Sequence, residues 1–276
     1  MDEPAPASTL ATRGGRTHAV AVLQALLVTF LWSTSWILVK IGLDDLDLQP
    51  ISFAGLRYAL AAAILLPFGL RALRRMGEGR MGRIGPVLWW RVGVYGLLFV
   101  AVAQGAQFVA LSFLPATAVS LILASIPAWV ALGAIGAAGG GERATIGQAG
   151  GIGLLLLGAV LYFGPFELAG DAPLGIVAAA ICTAAAATSS HLGRGLARDV
   201  IGRVGGPIGL TSLSMAIGAV VLLGTGLAVE GVPELDLRGA LIVGWLAAVN
   251  TAFAFTLWNH TLRTLTAVES SVVNNT

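Results

Sequence analysis

Long uninterrupted apolar runs dominate the chain, and short polar segments separate them. Crossing a bilayer's hydrocarbon core takes about 20 mostly apolar residues in a helix, because an unpaired backbone amide in lipid is too costly. Ala19 to Val39 is the first such run and holds no charge. Ile51 to Leu70 follows, interrupted only by Arg57. Val92 to Gly141 carries no charged residue and is too long for one span. It breaks at Phe113-Leu114-Pro115, since proline removes a helix donor and clashes with the preceding turn. This predicts spans near 92–113 and 117–138, with others at about 146–163, 174–191, 207–229 and 239–259. A ninth run starts near residue 264 and reaches Thr276. The first run exceeds the 7–15 apolar residues of a signal peptide and no small-x-small site follows it, so it reads as a retained helix. Residues 1–18, with Pro4, Pro6, Gly14 and Gly15, read as a disordered tail.

Composition supports this reading. Of 276 residues, 57% are hydrophobic and 11% are charged, against about 25% charged in a soluble domain. Thirty charges cannot cover a water-facing globule of this size, which excludes a soluble enzyme, a nucleic-acid binder and a disordered chain. The pI near 9.1 therefore matters only through where the bases sit. Cys182 is the single cysteine, so the chain has neither an internal disulfide nor a cysteine metal site.

The bases are sorted. With the N-terminus in the cytoplasm, the inside segments hold thirteen basic residues, from Arg13 and Arg16 through the Arg71–Arg91 cluster to Arg194, Arg198, Arg203 and Arg263. The outside segments hold two, Lys40 and Arg238, and eight acids, among them Asp44, Asp45, Asp47, Glu230, Glu234 and Asp236. The positive-inside rule fixes this orientation, and one missed helix would scramble the count. The expected location is a bacterial inner membrane, with the N-terminus cytoplasmic.

Two halves are discernible. Thr117-Ala118-Val119, opening the fourth span, recurs 149 positions later as Thr266-Ala267-Val268, opening the ninth. Pro50 before the second span corresponds to Pro207 before the seventh, 157 positions on; the longer basic loop after the second span explains the difference. Five spans per unit, an odd number, insert the second unit upside down. The first unit covers 19–163 and the second 174–276, and the offset leaves about 35 residues, the end of the ninth span and a tenth, to complete it.

The chain resembles the EamA-type branch of the drug/metabolite transporter superfamily. The matching residues are Leu31-Trp32-Ser33 in the first span, Pro50, Arg57 and Ala61 around the second, and Pro127, Gly141-Glu142-Arg143, Gln148, Gly151 and Gly158 from the fourth into the fifth. Within that superfamily it is similar to bacterial exporters of aromatic amino acids. The resemblance implies ten helices in a 5+5 inverted repeat around a central substrate cavity.

Polar groups inside spans are the candidates for chemistry, since an ionised side chain at mid-membrane costs about 2.5–3.5 kcal/mol on insertion scales. Arg57 either tethers helices, its guanidinium snorkelling outward, or contacts substrate. Glu269, the only acid in any span, either stabilises a helix N-terminus or couples transport to protons. Gln104 and Gln107 share a face of the third span. Their mates at the 149 offset are Phe253 and Thr256 in the eighth span, which also carries Asn250 and Asn259. These amides either glue helices together or line a cavity. Trp32 and Trp36, i and i+4 on the first span, either pack the bundle or line a pocket.

Several motifs are missing. The sequence has no GxxxxGK[ST] loop for ATP, no HExxH and no GxSxG. Its three histidines are too scattered for a metal site, and no cofactor is implied. A polytopic membrane enzyme or a lipid-handling protein needs clustered acids, histidines or lysines, which the spans lack. The remaining reading is a secondary transporter working by alternating access in the bilayer. Arg57 alone cannot neutralise a polyanion, so the expected small-molecule substrate is an aromatic or neutral amino acid, or else a hydrophobic cation held by aromatic faces.

Overall fold

The structure, a computed structural model of the chain, describes residues 7–74, 85–126, 129–130, 172–199, 206–261 and 264–265, with scattered positions between 150 and 161 and at 273. Among the described residues the architecture is all-helical. The helices are α1 (Ala7–Asp44), α2 (Pro50–Arg74), α3 (from Pro86 to Phe113), α4 (Ala116–Leu123), α5 (Ala172–Asp199), α6 (Gly206–Val229) and α7 (from Leu237 to Thr261). All but α4 are long and apolar enough to cross a membrane, six candidate spans among the described residues. They coincide with the expected first, second, third, sixth, seventh and eighth spans. Nearly half of the expected fourth span and most of the fifth and ninth lie outside the described residues, and the described positions from 150 to 161 are helical.

The boundaries follow local chemistry. α1 begins at Ala7, so most of the expected disordered tail is helical. α3 stops at the expected break: Leu114 is extended (φ −125°, ψ 152°), and Pro115, also extended, caps α4. In the turn after α1, Asp47 takes a left-handed conformation (φ 49°) that short polar side chains tolerate.

Two helices change pitch midway. α3 is α-helical over Pro86–Gly96, π-helical over Leu97–Val102 and α-helical over Ala103–Phe113. α7 repeats the arrangement with Leu237–Ala247, a π segment Ala248–Phe253, and Ala254–Thr261. Both π segments contain six residues.

α2 and α6 form the centre, packed antiparallel along their length. Ser52 meets Gly226, Gly55 meets Leu223 and Gly69 meets Ser212. A Cβ on Gly55 would lie 2.6 Å from the Leu223 Cα, and one on Gly226 would lie 2.7 Å from the Ser52 Cα, so small residues set how closely the backbones approach. The main core gathers Phe53, Tyr58, Leu65, Phe108, Leu111, Met215 and Leu246 around this pair. α1 is peripheral: 22% of its most apolar window is buried, against 50% for α2.

The two ends differ in charge. At one end Arg238 pairs with Asp45 at 3.3 Å and Lys40 with Asp44 at 2.8 Å. The Glu230 carboxylate accepts from the backbone N–H groups of Ile51 (3.0 Å) and Ser52 (2.7 Å), capping α2 from beyond the end of α6. At the other end Leu73, Val92, Leu196 and Leu210 cluster near Arg91. The described residues of the segments that the charge count assigns to one side thus meet at one end of the bundle.

Candidate functional site

Arg57 sits about two turns into α2 and is 5% exposed, so its guanidinium does not snorkel out. Its Nε donates to Thr251 Oγ1 on α7 at 2.9 Å, and its Nη1 donates to Ser35 Oγ on α1 at 3.0 Å. The rings of Tyr58 and Phe108 flank it, with centroids 5.2 and 5.9 Å from Cζ, within cation–π range. Two of the five guanidinium N–H groups are thereby used. The others have no hydrogen-bond partner, and the cation no carboxylate, among the described residues.

A second polar knot lies beside it on the same seam. Asn250 is fully buried in the α7 π segment, and its Nδ2 donates to the Leu31 carbonyl and to Thr34 Oγ1 (3.2 Å) on α1. Its Oδ1 is buried with no partner among the described residues. The neighbouring Thr251 hydroxyl donates to the Leu246 carbonyl, five residues back, at 2.8 Å. A π turn leaves its carbonyls within reach of such side chains, and π segments recur at functional sites.

From these knots aromatic rings extend toward the basic end. Trp32 packs on Phe255 (5.5 Å) and Trp258 (5.4 Å), Phe255 meets Phe99 edge-on (5.9 Å), and Phe99 stacks on Tyr95 (5.5 Å, 4° between planes). α1, α3 and α7 each contribute.

Of the residues singled out from the sequence, Trp32, Asn250 and Arg57 belong to this assembly. Gln104 adjoins it: its Oε1 accepts from Tyr58 Oη at 2.7 Å. Trp36 is half-buried against the main core, and Gln107 is half-buried one turn beyond Gln104. Phe253 is half exposed, while the exposed Thr256 returns its hydroxyl to the Ala252 carbonyl, and neither joins the cluster. Glu269 lies outside the described residues, as does the side chain of Asn259. Sequence reasoning passed over Ser35, Tyr58, Thr251, Tyr95, Phe99 and Phe255. The i, i+4 spacing of Tyr95 and Phe99 was the available signal.

Two grooves open at the acidic end. One of about 770 Å³ lies between α1 and α7, lined by Leu38, Ile41, Leu241, Ile242 and Trp245, with Asp236 and Arg238 at its rim. The other, of about 430 Å³, is bordered by Asp44, Asp47, Gln49, Ser112 and Glu230. Neither includes a residue of the polar knots.

Fold and site together define a multi-pass helical membrane protein with a polar, aromatic-flanked seam inside the bundle. The chain belongs to the EamA-like transporter family, whose model matches residues 19–164. It is 30% identical over 119 residues to an uncharacterized transporter of Archaeoglobus fulgidus, a match covering 42% of this chain and 36% of that protein's length. A protein solved by crystallography has the same fold, with a TM-score of 0.64 at 20% identity over 92% of this chain and 83% of its own.

Proposed function

We propose that the protein is a secondary transporter that moves small aromatic or neutral amino acids out of the cytoplasm by alternating access of two inverted halves. The observation that carries this reading is the buried Arg57 guanidinium, without a carboxylate among the described residues and close to a run of aromatic rings. An anionic group on an apolar solute complements such a cation in a dry setting. A hydrophobic cation, the alternative substrate, would be repelled by it. Polyanions need several cations to neutralise them, and here there is one.

Two features support the inverted halves, 19–163 and 174–276. The π segments of α3 and α7 are equal in length and lie 151 positions apart, within two of the offset relating Thr117 to Thr266. Gly69 and Gly226, and likewise Gly55 and Ser212, are partners at the 157 offset, and all four lie in the α2–α6 contact. Ten spans in all, a bacterial inner membrane and a cytoplasmic N-terminus complete the reading. Glu269 is its proton-coupling candidate.

Proteoliposomes holding the full-length protein test it. Uptake of tryptophan, phenylalanine or a neutral amino acid is expected; movement of a phosphorylated solute alone overturns the proposal. A Glu269→Gln protein that keeps full pH-dependent transport removes that residue as the coupling site.

A further inference from the structure

We infer that the seam between α1, α2 and α7 is a zwitterion site: Arg57 takes a carboxylate, Asn250 Oδ1 accepts from an ammonium group, and the solute is an α-amino acid, not the matching amine or acid. This rests on the transporter reading above and assigns the two charged groups of its substrate to named residues.

The two polar knots have opposite deficits. Arg57 has donors without acceptors and a charge without a counter-charge among the described residues. Asn250 has an acceptor without a donor, since its amide nitrogen is occupied by the Leu31 carbonyl and Thr34 while its oxygen is buried and unpaired among the described residues. Leaving either group unsatisfied is costly, and buried polar groups are ordinarily paired. Tethering alone does not require this arrangement: a neutral amide at position 57 could bond Ser35 and Thr251 without desolvating a cation.

The knots are adjacent along both helices that frame them. Ser35 follows Thr34 on α1, and Thr251 follows Asn250 on α7. They do not satisfy each other, because no hydrogen bond joins Arg57 to Asn250 Oδ1. An α-amino acid carries both missing groups on one carbon. Its side chain would then fall among Trp32, just under one turn from Ser35, and Phe255 and Trp258, about one and two turns from Thr251, all toward the basic end. Since Arg57 is 5% exposed and Asn250 fully buried, the seam has to part before a solute can reach them.

The test uses the full chain in proteoliposomes, with labelled tryptophan as the solute and tryptamine and indole-3-propionate as competitors. Tryptamine lacks the carboxylate and indole-3-propionate lacks the ammonium. Both are expected to compete at least about tenfold more weakly than unlabelled tryptophan, the loss of one charged hydrogen-bonding group. In Arg57→Lys the advantage of tryptophan over tryptamine should shrink, and in Asn250→Ala its advantage over indole-3-propionate should shrink. Tryptamine competing as well as tryptophan overturns the role of Arg57, and indole-3-propionate doing so overturns that of Asn250. Both outcomes are read on the unaltered protein, so a variant that fails to fold does not shield the proposal. A protein that moves neither tryptophan nor any neutral amino acid overturns the transporter reading and the site with it. Tryptophan transport without discrimination overturns the site alone.

Discussion

Arg57 Nε donates to Thr251 Oγ1 at 2.9 Å, joining α2 to the π segment of α7, and the same hydroxyl donates onward to the Leu246 carbonyl. The hydroxyl is therefore the acceptor that makes burial of one guanidinium N–H tolerable. Thr251→Val keeps the shape and removes the acceptor, leaving a buried charged donor unpaired. We expect it to destabilise the protein by about 1–3 kcal/mol, while Thr251→Ser stays near the parent. Thermal unfolding in detergent, compared across the three proteins, checks this.

The α2–α6 contact makes a second, internally controlled prediction. Gly226 and Gly224 lie two residues apart on α6, but a Cβ at Gly226 meets the Ser52 backbone at 2.7 Å, whereas one at Gly224 meets nothing within 4 Å. Backbone cannot swing aside as a side chain can. Gly226→Ala should cost about 1–3 kcal/mol by overpacking, and Gly224→Ala should stay within about 0.5 kcal/mol of the parent. Unfolding midpoints of the pair measure the difference. Equal midpoints would mean that the two helices do not touch there.

Sequence and structure agree most closely where one strong local rule acts. The α3–α4 break at Pro115 was legible because proline cannot continue a helix. The six described spans were legible because lipid leaves the backbone no other choice. The site was harder to read. Arg57 stood out as a charge in a span, but its direction depends on which face of α2 packs against α1 and α7, and periodicity alone does not decide that. Phe253 and Thr256 were chosen by the 149 offset, which relates the fourth and ninth spans. The π segments relate α3 to α7 at 151 instead, and two further residues along α7 reach Phe255 and Trp258, the aromatics that pack on Trp32. No composition rule marks a π turn, so that shift was hidden. Ser35 and Thr251 were passed over because hydroxyls are common in membrane helices, and only the partner distinguishes these two.

Glu230 supports a third prediction. Its carboxylate accepts from the first free N–H groups of α2, those of Ile51 and Ser52, although it lies after α6. It acts as a helix cap supplied from a distant part of the chain, and the negative charge also complements the positive end of the helix dipole. Glu230→Ala should lower stability by about 1 kcal/mol, with Glu230→Gln losing less because an amide oxygen still accepts. Glu234→Ala, at an exposed position with no such bond, should leave the midpoint unchanged. Chemical or thermal unfolding of the three variants side by side measures the order.

The charge sorting predicts which end faces which compartment. Glu234, in the segment between α6 and α7, lies toward the acidic end, and Arg71, in the last turn of α2, lies at the basic end; both are exposed. Cys182 is 1% exposed, so it contributes little background labelling and can be removed as Cys182→Ser. In that background, Glu234→Cys should react with a membrane-impermeant maleimide on intact spheroplasts. Arg71→Cys should react only after the membrane is permeabilised, because basic segments are retained in the cytoplasm. The reverse pattern would place the N-terminus outside. A solute reaching Arg57 from the cytoplasm would then no longer meet the aromatic run first, and the export direction proposed above would have to be given up.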